Sequence, residues 1–292
     1  MAQQAVAATA EGYDLAEGVI WDDRAGLVRF VDIWKGRVLA ARLRDRTLEI
    51  VDELVLGQTA GAIALAEDGG LIIAAARGLA AVTPDGTVSF GPDLLGSRGN
   101  VRLNDAAVDP RGRLVVGTLS LVGPIGEEVL LRVSADGDVE TLRTGIGLSN
   151  GIAFSPDGAR IYHVDTAART ISVRSLDDDE PWRTVVRMEG APDGLTVDSG
   201  GDLWVAQFDG GRVLRYSPLG ELRGEVVVDA AQATCPGFVG PARDILAITT
   251  AQENLDDWTD RSGAIFLADV GVTGIPDTRW PGSTTTPYWS TA

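Results

Sequence analysis

Glu17, Asn104, Asn150 and Asp193 carry side-chain oxygen and recur at one position of a repeating sequence pattern. Two carboxylates and two amides brought to one point form a hard, oxygen-rich cavity, the donor chemistry of divalent cations. Without a cation the two carboxylates would repel each other. One bound divalent cation is therefore expected. Ca²⁺ suits the donor set best, with Mg²⁺, Mn²⁺ and Zn²⁺ as alternatives. Taken singly, Asn150-Gly151 and Asp193-Gly194 are ordinary turn dipeptides, and Asn104-Asp105 is turn-prone. Only their shared column gives them chemical weight.

The column comes from the elements around it. Arg102 to Thr118 reads as a polar start, a short strand, the turn Asp109-Pro110-Arg111-Gly112 and a buried strand from Leu114. Similar units begin at Glu17, Ala60, Asn150, Asp193 and Pro236. The second residues of the units are Gly18, Gly61, Asp105, Gly151, Gly194 and Gly237, with steps of 43, 44, 46, 43 and 43 residues. A strand-rich period of about 40 to 50 residues is the mark of a β-propeller. Each unit is followed by further strand candidates, several joined by Asp-Gly turns such as Asp85-Gly86 and Asp136-Gly137. No segment has a long helical period.

The expected fold is thus all-β, a six-bladed β-propeller with four antiparallel strands per blade, forming one domain over residues 11–292. In such a fold the first strand of each blade lines the central channel. The ring of residues facing the axis would be Glu17, Ala60, Asn104, Asn150, Asp193 and Pro236. The last unit has only Ala264 to Ala268 and a weak tail near Thr278 to complete it. Closure is therefore expected from the two chain ends, with residues near Tyr13 beside the last blade. Residues 1–10 have no basic n-region or compact apolar h-region, so no secretory leader is expected there, and the segment is expected to be flexible.

Composition sets further bounds. The 292 residues are 45% hydrophobic and 23% charged, which is globular. No apolar run approaches the roughly 20 residues of a membrane span. The formal net charge is −17 and Lys35 is the sole lysine, so nucleic acid is not an expected partner. Cys235 is the sole cysteine, which excludes an intrachain disulfide and fits a cytoplasmic protein. A monomer or weak homo-oligomer is expected. The acidic run Asp177 to Glu180 reads as a solvated hairpin tip.

Several of these stretches carry a family resemblance. They are Glu17-Gly-Val-Ile-Trp21 with Leu27 to Ile33, Arg102-Leu-Asn-Asp105 through Arg113 with Gly117-Thr118, Ser149-Asn-Gly151 through Gly158, and Pro192-Asp-Gly194 through Asp198. Together they resemble the SMP-30/gluconolactonase/luciferin-regenerating-enzyme family, whose best-known member is regucalcin. The resemblance implies a metal-dependent lactone hydrolase of the sugar lactonase type, with one divalent cation in the channel. It implies Glu17, Asn150 and Asp193 as metal ligands, Arg102 and Asn104 facing the substrate, and Asp193 as the base.

On that reading the cation polarises the lactone carbonyl, and Asp193 accepts a proton from the attacking water. Arg102 and Asn104 donate to the oxygen that becomes an alkoxide. The sequence departs from the family at one place. Sugar-lactone members carry an acidic pair after the Gly-Thr of the third blade, and here Leu119-Ser-Leu-Val122 follows. An apolar wall at that position favours a less polar lactone, an ester or a biosynthetic intermediate. Glu127 and Glu128 are the nearest acidic residues that could substitute. A non-catalytic ligand-binding propeller is the other class, since fold alone does not give function. His163 lies inside a strand and no Gly-x-Ser-x-Gly elbow accompanies it, so it reads as structural. Cys235, one position outside the column, also reads as structural, and the tryptophans read mostly as strand packing, although Trp21, Trp34 and Trp204 could reach the channel mouth.

Overall fold

The computed structural model describes residues 2–255, 259 and 261–285. Six sheets surround a channel, each built mainly from four antiparallel strands in sequence order. Blade 1 comprises Ala16–Asp22, Leu27–Asp32, Arg37–Arg44 and Thr47–Val55. Blades 2 to 5 repeat the plan, with innermost strands Ala60–Leu65, Val101–Val108, Ser149–Phe154 and Pro192–Val197. Blade 6 starts with Gln232–Val239. The expected all-β, six-bladed propeller is the fold observed.

The burial patterns follow from the architecture. An innermost strand is covered on both faces, and Ala60–Leu65 and Ser149–Phe154 are buried throughout. An outermost strand meets solvent, and Thr47–Val55 is largely exposed. Six apolar clusters account for the core, one between each pair of neighbouring blades. Leu103, Leu114 and Leu130 are fully buried in them. Each such side chain contributes about 1.5–3 kcal/mol of apolar burial.

Ring closure differs from the expectation in detail. Val6–Ala7 pairs antiparallel with Phe266–Asp269 and supplies the fourth strand of blade 6. Gln3–Gln4 adds a fifth, parallel strand to blade 5 by pairing with Val226 and Val227. Tyr13 also borders the last blade, its N–H donating to the Gly263 carbonyl at 3.0 Å. The sequence predicts no strand in residues 1–10, because two two-residue strands leave no periodicity to read. The tail near Thr278 is no blade strand. It belongs to a strap across the channel end opposite the ring of candidate residues. The Ser199 N–H donates to Thr273, the Gly274 N–H to Arg243, and the Trp280 N–H to Leu65. The strap thus links blades 5, 6 and 2. Trp280 anchors it, 1% exposed in the core between blades 2 and 3. Arg279 pairs with Asp22 and Asp23 of blade 1. No helix among the described residues is long and apolar enough to cross a membrane.

Candidate active site

A bulge in each innermost strand shapes the site. Two residues oppose one at Asn104-Asp105, Asn150-Gly151, Asp193-Gly194 and Thr234-Cys235. In blade 1 the unpaired pair is Gly18-Val19, directly after Glu17, and in blade 2 Gly61 stands alone. A bulge bends the strand and re-aims a side chain, here towards the axis. The glycines let adjacent strands approach. A Cβ on Gly61 would lie 2.6 Å from the Asn104 carbonyl oxygen, and one on Gly194 2.7 Å from the Cys235 Cα.

The register corrects the expected ring in blade 6. Pro236 does not occupy the column, because Thr234 and Cys235 hold the places that Asp193 and Gly194 hold in blade 5. The Pro236-Gly237 dipeptide mimics the repeat two residues too late. Thr234 is fully buried and donates to the Ala16 carbonyl at 2.6 Å, next to Glu17. Cys235 therefore borders the channel. Burial, with Glu17 and Asp105 next in effect, pushes its thiol well above the ordinary value. It stays a neutral thiol, which suits packing and not nucleophilic attack.

Arg102, Asn104 and Asn150 are joined by hydrogen bonds, and all are buried. Arg102 Nη1 donates to Asn104 Oδ1 at 2.6 Å and to the Leu103 carbonyl at 3.0 Å. Asn104 Nδ2 donates to Asn150 Oδ1 at 3.1 Å and to the Ser149 carbonyl at 2.9 Å. Asn150 Nδ2 donates to Thr166 Oγ1 at 3.2 Å, and that hydroxyl donates to the Pro192 carbonyl at 2.7 Å. This chain crosses blades 3, 4 and 5 and fixes each amide's orientation. Both Asn104 N–H groups are already engaged within it. In this arrangement Asn104 holds Arg102 and Asn150 in place and has no donor left for a substrate oxygen. Asn150 Oδ1 keeps one lone pair free.

Glu17 and Asp193 are buried carboxylates. Glu17 accepts a hydrogen bond from its neighbour's Gly18 N–H at 3.1 Å. Burial, then Asp193 and Asp105, holds the Glu17 carboxyl well above the usual range. Burial, then Asp105 and Glu253, does the same to Asp193, against a smaller opposing effect of Arg102. Asp105 is pushed to about 6 by burial. Arg102 is lowered to about 10 by burial, opposed by Glu17, Glu253 and Asp193. It remains a cation among three acids, with its Nε buried and lacking a hydrogen-bond partner. Asp105 and Glu253 were missed in the sequence. Asp105 sat in the marker column usually held by glycine, and Glu253 lies in a connection outside the repeat.

The donor set fits a hard cation. Glu17 and Asp193 are buried carboxylates that act on each other electrostatically, and the Asn150 amide oxygen offers a third hard donor from blade 4. Among the described residues no cluster of three or more His, Cys, Asp or Glu side chains has metal-holding geometry. A cation held by Glu17 and Asp193 would need the Asn150 oxygen as a third donor.

Two rivals lose support. His163 Nδ1 lies 2.9 Å from Arg143 Nη1, a donor only, so that ring nitrogen is the acceptor. Nε2 then carries the proton and donates to Ser149 Oγ at 2.8 Å, leaving nothing to deprotonate a serine. Trp21 and Trp204 are core residues, whereas Trp34 is 42% exposed and stacks on Arg102 with its ring centroid 5.2 Å away. The expected apolar wall at residues 119–122 is not a buried one. Ser120 is buried, while Leu121 and Val122 are 51% and 67% exposed in the turn after their strand. Glu127 is exposed. Glu128 is buried in the blade, with Oε2 unpaired and Oε1 accepting weakly from the Ile125 N–H at 3.4 Å.

The SMP-30/Gluconolactonase/LRE-like profile matches residues 15–252, covering every strand that contributes to this site. The chain belongs to that family. Within it, the chain is 34% identical over 282 residues to a 6-deoxy-6-sulfogluconolactonase of Pseudomonas putida, covering 92% of this chain and 95% of the relative. It is 32% identical over 280 residues to a pentonolactonase of Haloferax volcanii, covering 91% and 94%. The fold is similar to the crystal structure of a calcium-binding protein, regucalcin, from Agrobacterium tumefaciens. That TM-score is 0.88, with 26% identity, covering 96% of this chain and 99% of that one.

Proposed function

We propose that this member of the family is a lactone hydrolase. One observation carries the reading: a buried arginine, Arg102, stands within electrostatic reach of a buried carboxylate, Asp193, whose pKa is raised. Hydrolysis of a lactone needs a donor for the carbonyl oxygen and an acceptor for the proton of water, and these are the two groups. Glu17, Asn150 and Asp193 would hold one divalent cation, best suited to be Ca²⁺, which when bound supplies Lewis-acid polarisation of the carbonyl.

The protein's own groups do the rest. Arg102 donates from its guanidinium to the carbonyl oxygen and stabilises the alkoxide as water adds. Asp193 accepts the water proton, and burial brings its basicity nearer to neutral pH. As the ring C–O bond breaks, the same proton passes from Asp193 to the departing ring oxygen, giving a hydroxy acid. Asn104 keeps Arg102 and Asn150 aimed. The sequence-similar sugar lactonases favour a hydroxylated lactone as the substrate. A second reading, a lactone with an apolar substituent, draws on the exposed Leu121, Val122 and Ile125 at the site end of blade 3.

The test is hydrolysis of glucono-1,5-lactone and δ-valerolactone by purified protein, with EDTA and with added Ca²⁺, Mg²⁺, Mn²⁺ or Zn²⁺. Cation-dependent turnover of either supports the reading, and their kcat/KM ratio chooses between the two substrate types. No turnover with any cation sinks it.

A further inference from the structure

Trp34 lies in the turn between Leu27–Asp32 and Arg37–Arg44, at the same end of blade 1 as Glu17. Its indole Nε1 donates to Glu253 Oε1 at 2.8 Å. Glu253 follows the blade 6 strand Ile245–Ala251. Gln232 clamps its backbone, accepting from the Glu253 N–H at 2.9 Å and donating to the Glu253 carbonyl at 2.8 Å. One face of the indole meets the Arg102 guanidinium. The ring is thus fixed from three blades, through its polar edge and through one face.

A loose surface tryptophan would leave its N–H in water and its ring free to turn. Here the N–H is committed, and the cation–π contact fixes the plane. With its N–H so engaged, Trp34 remains 42% exposed beside the arginine of the site. A lactone ring has C–H groups on its faces and oxygens at its edge. One flat apolar platform and one edge donor are enough to orient it.

We propose that Trp34 is a specificity-determining residue whose exposed ring packs against the face of the lactone while Arg102 engages its carbonyl edge, and that Glu253 is a positioning residue holding the indole. The inference rests on the lactone-hydrolase reading. It adds that the site recognises the ring of the substrate through an aromatic contact, independently of the hydroxyls the ring carries.

The experiment measures kcat and KM on glucono-1,5-lactone and δ-valerolactone with saturating cation, for the unmodified protein and four variants. Trp34→Ala raises KM roughly tenfold on both lactones with kcat changed less than about threefold, and Trp34→Phe, which restores a ring without the N–H, recovers the loss only to about the level of Glu253→Ala. Glu253→Ala raises KM several-fold, whereas Glu253→Gln, which keeps an acceptor for Nε1, leaves it close to the unmodified value. An active unmodified protein with unchanged KM in Trp34→Ala overturns this inference alone. So does a fall in kcat with KM unaltered, which would mean that Trp34 acts only by holding Arg102. A Glu253→Gln variant as impaired as Glu253→Ala replaces positioning with a charge effect and removes the second half. An inactive unmodified protein overturns the parent reading and this one together.

Discussion

Asp193 has two tasks, as an oxygen donor and as a proton acceptor, and substitution can separate them. Asp193→Asn keeps an oxygen and removes the basic carboxylate. With cation saturating, its kcat should fall by roughly 10² to 10⁴, the usual range for a general base. A rate near that of the unmodified protein would take the base role from Asp193. Asn150→Ala removes the third donor and also leaves one Asn104 N–H without its acceptor, while the Thr166 hydroxyl keeps the Pro192 carbonyl. It should raise the cation concentration needed for half-maximal thermal stabilisation, read by melting in a cation titration. His163 makes a different, pH-dependent contribution. Burial and the Arg143 guanidinium push its pKa well below the ordinary value. In the unfolded chain the ring takes a proton below about pH 6.5, while the folded ring does not. Its contribution is therefore complete above pH 6.5 and is lost as pH falls below it. The Tm of the unmodified protein should drop more between pH 7 and pH 5 than that of His163→Gln. Equal slopes would show that the ring is protonated in the folded state.

The innermost strands show how packing at the axis serves the chemistry. Gly61 lies where a Cβ would meet two carbonyl oxygens of blade 3, 2.6 and 2.9 Å away. Gly61→Ala should cost about 1–3 kcal/mol, the range for forcing atoms into a filled core. Gly224, in an outer strand with open space around its Cβ position, is the control. Gly224→Ala should change stability by less than about 1 kcal/mol in the same chemical unfolding experiment. The repeat made the blades legible, because the units recur every 43 to 46 residues and five of the six carry Gly as their second residue. It also made Glu17, Asn104, Asn150 and Asp193 legible as a column. Blade 6 misled because Pro236-Gly237 supplies that Gly while the bulge falls at Thr234-Cys235. Asn104's linking role was hidden, since a sequence names an amide but not the partners of its two N–H groups. Trp34 and Glu253 sit in connections, where no period constrains position and only the folded ring brings them together.

At the scale of the whole molecule, ring closure depends on residues remote in sequence. Val6 pairs with Leu267, and Gln3 with Val226. Deleting residues 2–8 should open blade 6 and expose the edge of Phe266–Asp269, lowering Tm by roughly 5 °C or more at about 2–4 °C per kcal/mol. Differential scanning calorimetry with the cation fixed would read it, and an unchanged Tm would mean the two short strands hold nothing. The same closure has a consequence for synthesis. Residues that leave the ribosome first have partners made last. With roughly 5 to 20 residues added per second, the stretch from Ala7 to Phe266 takes on the order of 10 to 50 s to appear. During that interval blades 1 to 4 can form in order of emergence, while the amino-terminal strand waits unpaired. Its translation rate and its access to chaperones thus become part of how reliably the ring is completed.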